Sequence, residues 1–200
     1  MYETQKPEPG SEQLKTFDSL TGLLDRRSFN EALHLCEENI PGKFTIAFID
    51  LDGLKKINDT EGHVKGDEYI QGAAHAMSDV LRATDLIALT QASESGRIGG
   101  DEIGVIFKDV SKSEDINEIV TRVREGFKEK GIKASIGTAS HQLEENSSET
   151  LHRADEAMKR DKEERKKKEL EAKSRLQRLM MGGAKILLKG AGVYDPRIHG

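Results

Sequence analysis

Apolar positions along this chain follow two different periods, and the change of period marks the elements. Phe29, Leu33 and Cys36 recur at helical spacing, which predicts a helix over 17–39, stopped by Pro41-Gly42. FTIAFIDL, residues 44–51, is apolar on both faces and suits a strand buried inside a sheet. A polar, turn-rich stretch follows, LDGLKKINDTEGHVKGDE. Ile70, Ala73, Ala74, Met77 and Leu81 then form one helical stripe. Two short strands are predicted at 86–89 and 103–107, with a Gly-rich turn between them. Ile116, Ile119, Val120, Val123 and Phe127 mark the next helix. IKASIGTA, from Ile132, alternates like a strand, and a last helix starts near Ser148 with Leu151, Ala154 and Met158 facing inward. Two consecutive strands joined by a tight turn make part of the sheet antiparallel, which excludes a doubly wound parallel fold. The expected class is α/β in the α+β sense: a central mixed, largely antiparallel sheet flanked by helices.

Composition narrows the picture. Two hundred residues suggest one domain with an extra arm, and 35% hydrophobic against 34% charged residues is a polar balance that still allows a core. No apolar run approaches the roughly 18 to 20 residues of a membrane helix. MYETQKPEPG has no apolar signal segment, so a cytoplasmic location is expected. Cys36 stands alone, which excludes an internal disulfide framework and a multi-cysteine zinc site. The net charge of -5 excludes a whole-protein basic footprint for nucleic acid. Residues 159–175 do carry nine basic and five acidic side chains, a local +4, but that interspersion reads as a solvated helix face. Pro7, Pro9 and Gly10 among polar neighbours mark residues 1–16 as a flexible leader. The main domain is expected over 17–168, with a helical extension and tail over 169–200. The tail has Gly-containing breaks and one short apolar patch, Ile186 to Leu188.

Acidic residues and glycines concentrate at three places. Asp50-Leu51-Asp52 closes the apolar strand, where a carboxylate leaves the core without leaving the rigid sheet. Gly99-Gly100-Asp101-Glu102 occupies the turn between two strands. Its glycines let a ligand approach the backbone, and its carboxylates suit a hard cation that also bridges phosphates. If the first strand lies beside this hairpin, Asp50 and Asp101 converge, and they repel without a cation between them. NDTEGHVKGD, from Asn58 to Asp67, offers amides and carboxylates able to read a base edge. Each segment alone reads more readily as a turn; together, in this order, they point to a nucleotide and a metal.

These residues carry a family resemblance. DSLTGLLDRRSF, FIDLDGLKKINDTEGHVKGDEYI, RIGGDEIGVIF, SIGTA and ADEAMKRDKEERK together resemble the GGDEF domain, the catalytic module of bacterial diguanylate cyclases. The resemblance implies a palm-like fold shared with nucleotidyl cyclases. It also implies condensation of two GTP molecules into cyclic di-GMP with release of two pyrophosphates, at a homodimer, with Mg²⁺ or Mn²⁺. Asp50, Asp101 and the Leu51 carbonyl resemble the metal ligands. Glu102 resembles the acid that helps deprotonate the 3′-hydroxyl or holds a second metal. Gly99 and Gly100 resemble the glycines against which GTP lies. Asn58 and Asp67 resemble the guanine readers, and Asp67 also suits a helix cap. Lys55, Lys162 and Lys166 resemble phosphate-side cations, although the last two sit in the charge run. Arg97 is read as structural, bonding nearby carbonyls. Arg82 and Asp85 resemble an inhibitory site for the cyclic di-GMP product.

The chain also departs from the family's pattern. About eight extra residues near LTQASESG read as a flexible inserted loop. Ile103 replaces the signature Phe, and Lys159, Asp161 and Arg165 stand where Tyr, Ala and Gly are usual. Nothing in residues 1–16 resembles a sensory segment, which fits a stand-alone enzyme or a piece of a larger protein; within this chain dimerisation is expected from the C-terminal helix with Leu170, Leu176 and Leu179, or from GTP itself. The alternative function is a catalytically degenerate module that binds GTP or cyclic di-GMP and signals through a partner.

Overall fold

The computed structural model describes the backbone of residues 15–83, 93–108 and 113–190. The side chains of 82, 83, 93, 113, 114 and 180–190 lie outside that description. Within it the order is α1 (Arg26–Asn39), β1 (Phe44–Leu51), α2 (Leu54–Glu61), α3 (His63–Ala83), β2 (Ser93–Arg97), β3 (Glu102–Lys108), α4 (Ser113–Glu129), β4 (Ala134–Ser140) and α5 (Ser147–Gly190). The four strands form one sheet in the order β2-β3-β1-β4, antiparallel at every pairing. A first compact unit ends at Arg160, and a second begins at Asp161. No helix among the described residues is long and apolar enough to cross a membrane.

The apolar alternation of β1 explains the layering. Ala47, Ile49 and Leu51 turn to one side, where Ile70, Met77, Ile119 and Phe127 of α3 and α4 complete a core. Phe44, Ile46 and Phe48 turn to the other, against Phe29 and Leu33 of α1 and Ala154 and Met158 of α5. Two glycines make the second layer tight. A Cβ on Gly104 would lie 2.4 Å from Phe29 Cζ, and one on Gly96 would lie 2.6 Å from Phe29 Cβ.

Four expectations need correction. The first helix begins at Arg26 rather than at residue 17. Residues 18–22 form a turn, because the Asp18 carboxylate accepts from both the N–H and the hydroxyl of Thr21 and Gly22 takes a φ of 70°. Asp25 then caps α1 by accepting from Ser28 N–H. Second, the turn-rich stretch after β1 is largely helical: α2 and α3 are separated by Gly62 alone, at φ 88°. Third, the strand predicted at 86–89 falls outside the described residues. The strand that pairs with β3 is Ser93–Arg97, so the end of the supposed inserted loop is part of the sheet. It is a polar edge strand with no apolar alternation to betray it; Glu94 sits between Lys15 and Lys108. Fourth, Gly182 and Gly183 do not break the last helix, whose backbone continues to Gly190.

Candidate active site

The sheet register brings the signature acids together. Asp50, next to last in β1, pairs directly with Glu102 at the start of β3. The Leu51 N–H donates to the Asp101 carbonyl at 2.9 Å, so the turn that carries Asp101 is stitched to the end of β1. Directly opposed residues of an antiparallel pair project to the same face. For Asp50 and Glu102 that is the face covered by α1 and α5. Asp155 of α5 and Arg26 at the start of α1 are near enough to act on Glu102 electrostatically.

Glu102 is therefore a partly buried acid among acids. Burial pushes its carboxyl above the ordinary value, and the charges of Asp101, Asp50 and Asp155 push the same way, with Arg26 opposing. An all-oxygen set under such repulsion suits a hard divalent cation, with the Asp50 and Asp101 carboxylates and the Leu51 carbonyl as the candidate ligands. Gly99 has its own steric reason. A Cβ there would lie 2.3 Å from Glu102 Oε2, so only glycine leaves the carboxylate its place; Gly100 has open space at the same position.

The turn itself is held from behind. Arg97 Nε donates to the Gly99 carbonyl at 3.2 Å and Nη2 donates to the Gly100 carbonyl at 2.9 Å. Its Nη1 donates to both Asp18 oxygens, at 3.3 and 3.2 Å. Arg97 is thus structural in the way its position suggested. Burial would raise the Asp18 carboxyl, but the bonds from Thr21 and Arg97 outweigh it and hold the group below the ordinary value. Backbone bonds reinforce the contact, with Leu24 N–H donating to the Ser95 carbonyl and Arg97 N–H to the Leu24 carbonyl.

The base-reading candidates sit on the two helices after β1. Asn58 is on α2 and half-buried. Asp67 lies inside the first turns of α3 and is exposed, so it is not that helix's cap. Lys55 is exposed on α2. Lys162 and Lys166 belong to the second unit, beginning at Asp161, and not to the unit that holds the acids. Arg82 lies in the last turn of α3 with its side chain outside the described residues, and Asp85 is wholly outside them. Sequence reasoning missed Asp18, Arg26 and Asp155 as contributors. All three lie within the motif segments, but only the sheet brings them to the acid turn.

Comparison with known proteins agrees with this geometry. Residues 15–168 match the family model described as "Diguanylate cyclase, GGDEF domain". The chain is 30% identical over 182 residues to the diguanylate cyclase DgcM of Escherichia coli, covering 85% of this chain and 42% of that protein. It is 34% identical over 120 residues to the cyclic di-GMP phosphodiesterase NbdA of Pseudomonas aeruginosa, covering 58% of this chain and 14% of that one. The chain thus spans less than half the length of either relative. Among solved structures it resembles the diguanylate cyclase SiaD of Pseudomonas aeruginosa, solved with its activator SiaC, at a TM-score of 0.64 and 29% identity over 74% of this chain and 58% of that one. It also resembles the GGDEF domain of DgcB from Caulobacter crescentus, solved with c-di-GMP, at 0.62 and 25% over 74% of this chain and 90% of that one. With more than half its length matched by the family model, and with the signature turn set against the β1 acids, the chain belongs to the GGDEF family of diguanylate cyclase domains.

Proposed function

We propose that this chain is a diguanylate cyclase, with the catalytic region over 17–168, acting as a homodimer in which each copy holds one GTP. The 3′-oxygen of each GTP attacks the α-phosphorus of the other. Each attack forms one P–O bond, breaks the bond to the β-phosphate and releases one pyrophosphate. The observation that carries this reading is the Asp50–Glu102 pairing, with the Asp101 carbonyl tied to Leu51 N–H across the same strands.

The Asp50 and Asp101 carboxylates and the Leu51 carbonyl would hold Mg²⁺ or Mn²⁺; when bound, the ion supplies charge for the triphosphate and polarises the α-phosphate. Glu102, opposite Asp50 at the start of β3, would take the 3′-hydroxyl proton. Arg97 and Asp18 hold the Gly99 and Gly100 backbone so that the phosphates meet a fixed surface. Asn58 and Asp67 recognise guanine, whose N1–H and N2–H₂ donors match a carboxylate and an amide oxygen. Lys55, exposed on α2, supplies positive charge toward the phosphates.

The test is turnover of GTP with Mg²⁺ or Mn²⁺ across a range of protein concentrations. We expect two pyrophosphates per cyclic di-GMP and a rate rising with more than the first power of protein. GTP binding without pyrophosphate release would replace the cyclase with the binding-module alternative.

A further inference from the structure

Asn58 Oδ1 is the buried side-chain oxygen that lacks a hydrogen-bond partner among the described residues. A buried acceptor left unpaired costs free energy, so the Asn58 carboxamide keeps hydrogen-bonding capacity that its own helices do not use. What holds it there is its neighbour. A Cβ on Gly66 would lie 1.9 Å from Asn58 Oδ1, 2.9 Å from its Cγ and 3.3 Å from Leu54 Cδ1. Gly66 is itself buried, and its backbone needs no glycine for conformational reasons, because it is helical without a positive φ. The helices on either side are pinned: Leu54 is buried at the start of α2. The turn between them is closed by Gly62 N–H donating to the Asn58 carbonyl at 3.1 Å and by Gly66 N–H donating to the Gly62 carbonyl at 3.3 Å.

We infer that Gly66 is a positioning residue for base recognition: its bare Cα gives the Asn58 carboxamide its place, and through that amide it sets affinity for the purine. The inference rests on the reading in which Asn58 contacts the base. An added methyl meets the far end of a flexible side chain rather than backbone, so the amide swings aside while the fold survives. The donor-bearing edge of guanine then loses its acceptor. Helix propensity acts in the opposite direction, since alanine favours a helix over glycine. A glycine without any steric role therefore predicts a variant that is as good as the parent or better.

The experiment compares the full chain with Gly66→Ala, Asn58→Ala and the double variant, using GTP as the probe in steady-state turnover and calorimetric binding. For Gly66→Ala we expect the GTP KM and Kd to rise about tenfold, the loss of roughly one net hydrogen bond, with kcat within about twofold. Adding Gly66→Ala to Asn58→Ala should change Kd by less than about twofold, because no amide remains to displace. An unchanged Kd in Gly66→Ala, or penalties that add in the double variant, would overturn the inference. If Gly66→Ala fails to fold, recovery of folding in the double variant supports the steric relation and continued failure overturns it. A parent that binds GTP without turning it over sinks the cyclase reading but leaves this comparison readable in Kd. A parent that binds no GTP sinks both.

Discussion

The two corners of the site are built on opposite principles. The acid corner rests on strands. Asp50, Asp101 and Glu102 are fixed by adjacent rungs of one ladder, and the turn between them is gripped by an arginine that spans two carbonyls and a carboxylate. The base corner rests on two helices around Gly62, with one carboxamide seated on a glycine and Asp67 open to solvent. The difference follows from what each must hold. Carboxylates that repel one another drift apart unless the backbone is braced, so rigidity is concentrated there. On the proposed reading a neutral base needs donors and acceptors left unspent, and the unpartnered Asn58 oxygen lies at that corner.

The largest expected effect separates chemistry from scaffold at the acid corner. In Asp101→Asn, cyclic di-GMP formation should fall by about a thousandfold, on the order of 4 kcal/mol of transition-state stabilisation. The melting temperature should hold or rise, because a repelling charge has gone and the Asp101 carbonyl still accepts from Leu51 N–H. Turnover near the parent's would show that Asp101 holds no metal. A large loss of stability would show that the acids, not the brace, hold the corner together.

The next effect tests the brace. Arg97→Lys keeps a cation but cannot reach Asp18, Gly99 and Gly100 at once, since the planar fork is lost. We expect turnover to fall by about a hundredfold at most through misplacement of the turn. Stability should fall by about 1.5–3 kcal/mol, as for hydrogen bonds to a charged group. Denaturant titration and kcat measured on the same samples check both. If turnover drops with no change in stability, Arg97 meets the substrate directly and the contrast between a braced corner and an open one fails.

How much of this was legible in the sequence follows the same contrast. β1 could be read directly, because a strand covered on both faces is apolar throughout, and its terminal acids then had to sit at the strand's end. The hairpin acids were legible through their glycines. The α2–α3 pair was not: LKKINDTE has one buried side chain, Leu54, and its Asn, Asp and Gly neighbours imitate turn chemistry. β2 was hidden for a related reason. SESGR carries no apolar residue, and Gly96, which looks like loop chemistry, is there because Phe29 fills its side-chain space. Asp18 and Asp155 act over separations of 79 and 53 residues, which no local pattern reports.

The smallest expected effect probes a brace outside both corners, where α5 begins. The Glu145 carboxylate accepts from Gln142 N–H at 2.8 Å, from Thr150 Oγ1 at 2.7 Å and from Arg153 Nε at 3.0 Å. Thr150 Oγ1 also bonds Nδ1 of buried His141, which stacks on Phe44. Burial would raise the Glu145 carboxyl, but those three partners outweigh it and hold it below the ordinary 4.5. A carboxyl lowered in the folded state contributes stability that is complete above its unfolded value and is lost as pH falls toward its folded one. Glu145→Gln should therefore cost about 1–2 kcal/mol at pH 7, and the gap from the parent should close as the pH is taken below 4.5. Turnover at pH 7 should stay within about twofold, as for substitutions remote from a site. Thermal melts at stepped pH read the first effect and a GTP assay the second. A gap that persists at low pH would mean that shape rather than charge carries the brace. A large loss of turnover would mean that the start of α5, through Asp155, is as much part of the acid corner as the strands are.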